Sequence, residues 1–218
     1  MHKCIQDFLQ KKRTIPETKK YFWRWWRTFY RIYKKHLGGK QVGNLLRAGL
    51  NIISHAEESF KGCETLSTEE RLEMPISLEH PELNFKGFVD LVMFRDNQLL
   101  IADLKTTKSA YMFEKYLDAL KRHQLTFYKT YYARKHDIDL DDIDVCFIAL
   151  EKAPTAKNPI QFLPETSGYR KIAKSQELIT ETINMVQRGE FPKNRNSCYD
   201  EKTKIKCPFF QTPHCPED

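Results

Sequence analysis

Two apolar runs separated by Asp96-Asn97 limit what this chain can fold into more than any other feature. The stretch reads Gly87-Phe88-Val89-Asp90-Leu91-Val92-Met93-Phe94-Arg95-Asp96-Asn97-Gln98-Leu99-Leu100-Ile101-Ala102-Asp103-Leu104-Lys105-Thr106-Thr107. Asp-Asn between strand-like runs suits a two-residue hairpin turn. Arg95 then faces Gln98, and counting outward sets Asp90 directly opposite Asp103. Opposed residues carry Cβ atoms roughly 4.5–5.5 Å apart, close enough for two carboxylates to share a cation. Period-two alternation puts Lys105 on the face of Asp103. Both faces are otherwise apolar, with Val89, Leu91 and Met93 on one and Phe88, Val92 and Phe94 on the other. Charges buried there need compensation, which a metal ion supplies. The plainer reading is an Asp103–Lys105 ion pair at a strand end. The facing Asp90 favours a site, and it depends on register, since a one-residue slip reverses faces.

The hairpin lies within a chain of 218 residues, enough for one domain with a substantial core. Periodicity predicts a helix over 16–36, opened by Pro16-Glu17 and stopped by Gly38-Gly39, and a second over 42–61. On the second helix Leu45, Gly49, Ile53, Ala56 and Phe60 share one face. Strands are expected at 72–79, 85–95 and 98–105, a helix at 111–135, a buried strand at 143–150 and a helix at 167–189. The loop 152–166 and the last 27 residues read as irregular. The order predicts an α/β domain: a helical arm over 1–40, a core over 41–190 and a cysteine-containing tail over 191–218.

Charge separates the arm from the body. Residues 1–40 hold twelve Lys or Arg against Asp7 and Glu17, a net +10 within a formal total of +7, which leaves −3 for the rest. On the first long helix Lys20, Arg24, Arg27, Arg31 and Lys34 form a basic stripe beside Phe22, Trp25, Trp26, Phe29 and Tyr33. Such an arm suits a polyanion, through phosphate contacts and base stacking, or is a solvated helix whose aromatics pack inward. No apolar run reaches the length of a membrane span. The opening residues lack a secretory h-region, so the expectation is a cytoplasmic protein or a phage protein acting in its host's cytoplasm.

Gly-x-x-Asp (Gly87, Asp90), Asp-x-Lys-Thr (Asp103, Lys105, Thr106) and Gln-x-x-x-Tyr (Gln124, Tyr128), in that order, resemble the RecB-type branch of the PD-(D/E)XK nucleases. The resemblance covers about 42–150 and implies a restriction-endonuclease-like core, a mixed sheet flanked by helices. It implies a Mg²⁺- or Mn²⁺-dependent deoxyribonuclease, exonuclease rather than endonuclease, with Asp90 and Asp103 as ligands and Lys105 positioning or activating water. His55 matches the family's further ligand on the preceding helix, with Glu58 able to assist; an ordinary surface histidine is the alternative. Gln124 and Tyr128 would lie beside the site holding DNA, unless Gln124 is a buried amide satisfied by backbone. Arg24, Arg27 and Arg31 would contact a DNA strand, single or with a free end, in recombination, repair or phage DNA processing. A non-catalytic nucleic-acid-binding module is the alternative function.

Six cysteines occur, with Cys198, Cys207 and Cys215 in the last 21 residues. That tail resembles iron–sulfur nucleases of the same branch, among them CRISPR-associated exonucleases and phage relatives. The resemblance implies a 4Fe–4S cluster on Cys4, Cys198, Cys207 and Cys215, with Cys63 as rival to Cys4. Zinc held by three cysteines and His214, or free thiols, are the other readings.

Overall fold

The computed structural model describes residues 1–34, 39–76, 81–117, 119–190, 199–200 and 205–206. The chain divides into two compact units, Met1–Ser175 and Gln176–Asp218. In the first, helices α1 (His2–Leu9), α2 (Ile15–Tyr33) and α3 (Gly39–Ser59) precede strands β1 (Cys63–Pro75), β2 (Asn84–Arg95) and β3 (Gln98–Thr107). Helices α4 (Ala110–Lys115) and α5 (Ala119–His136) lead to β4 (Ile143–Glu151), β5 (Ile160–Glu165) and α6 (Tyr169–Gln187), which spans the division. The second unit also holds a short antiparallel pair, β6 (Tyr199–Asp200) and β7 (Ile205–Lys206). No described helix is long and apolar enough to cross a membrane.

The sheet runs β1-β2-β3-β4-β5, antiparallel except for the parallel pair β3–β4. This mixed sheet with flanking helices is the expected fold class. Asp96 and Asn97 have φ of 53° and 61°, as a two-residue turn matched to strand twist requires. Arg95 pairs with Gln98 and the register holds to Leu91–Ala102, as counted from the sequence.

One side of the sheet presents Leu91, Met93, Leu100, Ala102, Leu104, Cys146, Ile148 and Leu150 to Ile5 of α1 and to Ile52, Ala56 and Phe60 of α3. Helices α4 and α5 lie along the other side. There Phe113 meets Phe147 edge-on at 5.4 Å, and Leu125 and Tyr128 are buried. Coverage is incomplete, since Phe94 is exposed. Helices α2 and α3 pack through Phe22, Trp26, Val42 and Ile53. Gly49 permits that approach, because a Cβ there would run into the Phe22 ring.

Several elements differ from expectation, among them the short β6–β7 pair in a tail that reads as irregular. Helix α1 occupies a stretch with no predicted element. Strand β1 begins at Cys63, not near 72: its Glu-rich half is an edge strand with a single partner, so it shows little apolar alternation. The helix expected over 111–135 is two helices, broken where Tyr116 takes φ −109° and ψ 16°. Strand β5 lies inside the expected loop and tolerates Pro164 as an edge strand does. The expected stop at Gly38-Gly39 differs too, since Gly39 opens α3; Gly38 lies outside the described residues.

Candidate active site

Beyond Leu91–Ala102 the hairpin opens into a fork. Strand β2 continues against β1 alone, and β3 against β4 alone. Asp90 and Asp103 stand on the two prongs of this fork. Asp90 Oδ2 accepts a hydrogen bond from the Leu104 N–H at 2.8 Å, so a side chain takes over where the ladder stops.

Side-chain alternation in β2 turns over at the same point. Phe85 stacks on Tyr131 of α5 at 4.0 Å, and a Cβ on Gly87 would lie 2.9 Å from the Tyr128 ring. Leu91 and Met93 share their parity yet pack with α1 and α3. Across from Asp90, Glu69 of β1 has φ 53°, a left-handed backbone that costs about 1–2 kcal/mol for a non-glycine residue. Glycine in the Gly-x-x-Asp motif therefore has a mechanical reason: it admits the tyrosine of the Gln-x-x-x-Tyr motif.

Asp103 is 3% exposed. Burial raises its carboxyl to about 6, against the opposing pull of Lys105. Lys105 Nζ stands 2.6 Å from Asp103 Oδ2 as an ion pair. That oxygen is nevertheless buried without an aligned hydrogen-bond donor. The oblique ammonium balances charge but leaves acceptor capacity unused. Asp90 is half-buried, and burial raises it too, opposed by the Leu104 hydrogen bond, His2 and Lys105. Lys105 also donates to Gln124 Oε1 at 3.4 Å, and Gln124 Nε2 donates to the Tyr128 hydroxyl at 2.9 Å. The structure thus brings Asp90, Asp103, Lys105, Gln124 and Tyr128 into one contiguous set.

It also brings three residues absent from the sequence reading. His2 Nδ1 lies 3.6 Å from Asp90 Oδ2, and burial lowers its pKa. Fully buried Gln6 donates to Glu69 Oε1 at 2.6 Å and to the Asp90 carbonyl at 3.1 Å. Glu69 is the third, facing Asp90. The only sequence signal for this group was Gln6-Asp7 set between Ile5 and Phe8.

His55 is placed differently. Its Nδ1 lies 2.9 Å from the Asn51 carbonyl one turn back on α3. That helix packs against Ala102 and Leu104, on the side that α1 also covers. Among the described residues no group of three or more His, Cys, Asp or Glu side chains is arranged to hold a metal, so His55 does not join the two aspartates in one.

Arg24, Arg27 and Arg31 are exposed on α2, with Arg27 over the Trp23 ring at 4.7 Å. Cys4 is a buried thiol among Phe22, Trp26, Val42 and Ile53, and burial raises its pKa, against thiolate formation. Cys63 is half-buried and shifted the same way. Cys198, Cys207, Cys215 and His214 lie outside the described residues.

The profile of the PD-(D/E)XK nuclease superfamily matches residues 1–212. Two solved structures are similar. A provisionally assigned exonuclease from Eubacterium rectale is 13% identical, with a TM-score of 0.46 over 86% of this chain and 69% of that one. SSO0001 is 15% identical, with a TM-score of 0.39 over 73% and 70%. No curated protein matches the sequence.

Proposed function

We propose, for a chain that belongs to the PD-(D/E)XK nuclease superfamily, a divalent-metal-dependent deoxyribonuclease acting from strand ends. The carrying observation is Asp103 Oδ2, buried and short of a hydrogen bond, on a fork whose other prong bears Asp90. Two carboxylates, one with an unsatisfied lone pair, fit a hard oxygen-seeking cation. When bound by Asp90 and Asp103, Mg²⁺ or Mn²⁺ would polarise the scissile phosphate and lower the pKa of water.

The chain's own groups do the positioning. The Leu104 N–H holds the Asp90 carboxylate, and Gln6 holds the Asp90 backbone. Lys105, steered by Gln124, presents an ammonium beside the reacting phosphate, where it offsets developing negative charge and orients the attacking water. Arg24, Arg27 and Arg31 hold the rest of the strand. Neither His2 nor His55 completes a three-residue group with the two aspartates among the described residues, so both are candidates for a third donor, His2 lying 3.6 Å from Asp90 Oδ2. Manganese titrations of His2→Ala and His55→Ala decide between them: the true ligand weakens binding on removal and the other leaves it unchanged.

Digestion of end-labelled single- and double-stranded DNA with Mg²⁺ or Mn²⁺ tests the activity. Mononucleotides released progressively from an end support the exonuclease. Internal cuts assign an endonuclease, and intact DNA under all conditions ends the reading. Recombination, repair or phage DNA processing is the setting we propose. The tail cysteines Cys198, Cys207 and Cys215 are proposed to bind metal. Brown protein after anaerobic purification would mark iron–sulfur, colourless protein with stoichiometric zinc would mark zinc, and metal-free folded protein would exclude both.

A further inference from the structure

The corner between α1 and α2 has no part in the fork. The chain leaves α1 through Lys11 at φ 56° and enters α2 through a capping box. There Glu17 Oε2 accepts from the Thr14 N–H and hydroxyl, both at 2.8 Å. The turn borders an open concavity of about 340 Å³ lined by Lys12, Arg13, Glu17, Lys20, Tyr21 and Arg24. Four cations thus face one carboxylate, which is already engaged by Thr14. Arg13 is fixed by an ion pair with buried Asp7 and by stacking over the Tyr21 ring at 3.9 Å. Lys12, Lys20 and Arg24 make no ion pair among the described residues. Like charges gathered around a concavity repel until an anion enters, and a pre-positioned guanidinium suits phosphate oxygens.

We propose that this corner is a phosphate-binding subsite for the nucleic-acid strand, an inference that rests on the nuclease reading. Helix α1 joins the two places. Its first residue, His2, and its middle residue, Gln6, contact Asp90, and the chain just past its end supplies Lys12 and Arg13. Eight residues at about 1.5 Å each make α1 about 12 Å long. The ligand is either an internal phosphodiester or a terminal phosphate monoester.

Binding of a short labelled single strand to the full chain, in EDTA so that cleavage is suspended, tests the subsite. Oligonucleotides with a 5′-phosphate, a 3′-phosphate or neither are compared across a salt series. Lys12→Ala/Lys20→Ala should weaken binding about tenfold and flatten the slope of log K against log salt by about 0.7 for one phosphate. Lys61→Ala/Lys157→Ala removes two exposed lysines that do not line the corner, and affinity should stay within about twofold. A loss confined to one phosphorylated oligonucleotide identifies a terminal phosphate, and equal loss on all three identifies the backbone. Equal losses in the two double variants, or none in the first, overturn the subsite while Mg²⁺-dependent cleavage by the parent leaves the nuclease standing. Salt-sensitive binding lost in the first variant, from a parent that cleaves under no condition, keeps the subsite and ends the nuclease. A parent that neither binds nor cleaves ends both.

Discussion

At the fork the protein buries polar groups, Asp103 and Gln6 among them, whereas along α2 it leaves Trp23, Trp25, Tyr30 and Tyr33 in solvent. Each region reverses the ordinary sorting of side chains, and the reversals differ in kind. The fork carries an electrostatic cost that an ion can relieve, so its consequences follow pH and metal. Helix α2 carries a hydrophobic cost that a stacking partner can relieve, so its consequences follow the presence of a strand. Buried polar groups and exposed apolar patches are informative because folding alone does not favour them.

The largest effect that could break this contrast lies at the fork. Asp103→Asn and Lys105→Ala should each fold and bind DNA, yet lose hydrolysis about a thousandfold or more. Manganese affinity should separate them: Asp103→Asn weakens it, and Lys105→Ala leaves it equal or tighter, since removing a nearby positive charge cannot repel a cation more. Cleavage retained by clean Asp103→Asn protein would reduce the fork to an ion pair.

On α2, adjacent tryptophans should behave oppositely. Trp26 packs with Phe22 and Ile53, so Trp26→Ala should lower stability by about 3–5 kcal/mol in denaturant titrations. Trp25 is 52% exposed and stacked on Phe29 at 5.5 Å. Trp25→Ala should leave stability within about 0.5 kcal/mol yet cost about 1–3 kcal/mol in single-strand binding by anisotropy. Unchanged binding would make the exposed aromatics a feature without a nucleic-acid role.

The fork's electrostatic cost should be visible as pH dependence. Asp103 has a folded pKa of about 6 against an ordinary 3.8, so between those values the folded state keeps a proton that the unfolded state has released. Stability therefore falls as pH rises through this window and is flat beyond it, by about 3 kcal/mol in all. In EDTA, Asp103→Asn should lack this fall, and its stability relative to the parent should rise by most of that amount between pH 4 and pH 7. Parallel stability curves would mean that the carboxylate is not desolvated.

The smallest effect concerns the strap on the edge strand. Burial would raise Glu70, but hydrogen bonds from Lys135 at 2.7 Å, from Ser67 and from His136 outweigh it and hold the carboxyl below its usual range. A depressed carboxylate stabilises above its unfolded pKa of 4.5 and loses that contribution as pH falls through the folded value. Lys135→Ala should cost roughly 0.5–1 kcal/mol at pH 7, little for a half-exposed pair, and nothing in acid. A loss independent of pH would assign the effect to the lysine's methylenes.

The fork was legible because its signal is local. A two-residue turn between apolar runs sets the register, which holds from Arg95–Gln98 to Leu91–Ala102; the ladder ends just before the expected Asp90–Asp103 pair, where Asp90 takes the Leu104 N–H instead. Helix α1 was not, because a short polar helix buries only a few positions and its role depends on what it meets, Gln6 reaching residues 63 and 84 positions away. Glu69 sits in a Glu-rich edge strand, and what distinguishes it, a left-handed backbone, leaves no mark on composition. Sequence alternation also failed at Asp90, where twist turns β2 over. His55 fits the family's spacing, its Nδ1 lies against the Asn51 carbonyl, and the manganese titrations decide its role.

The tight turn at Asp96-Asn97 makes distance from it an address, and the address has parity. Along β3, Leu100, Ala102 and Leu104 are even and meet the hydrophobic core, while Asp103 and Lys105 are odd and face the fork. One residue inserted between Leu100 and Ile101 exchanges odd for even beyond it, sending the aspartate and lysine into hydrocarbon and Ala102 and Leu104 into the fork, unless a bulge absorbs it. A second insertion restores the face but moves Asp103 two positions beyond Asp90. Side-chain chemistry at this site tolerates no change of count, so lengthening β3 should be more damaging than many substitutions within it.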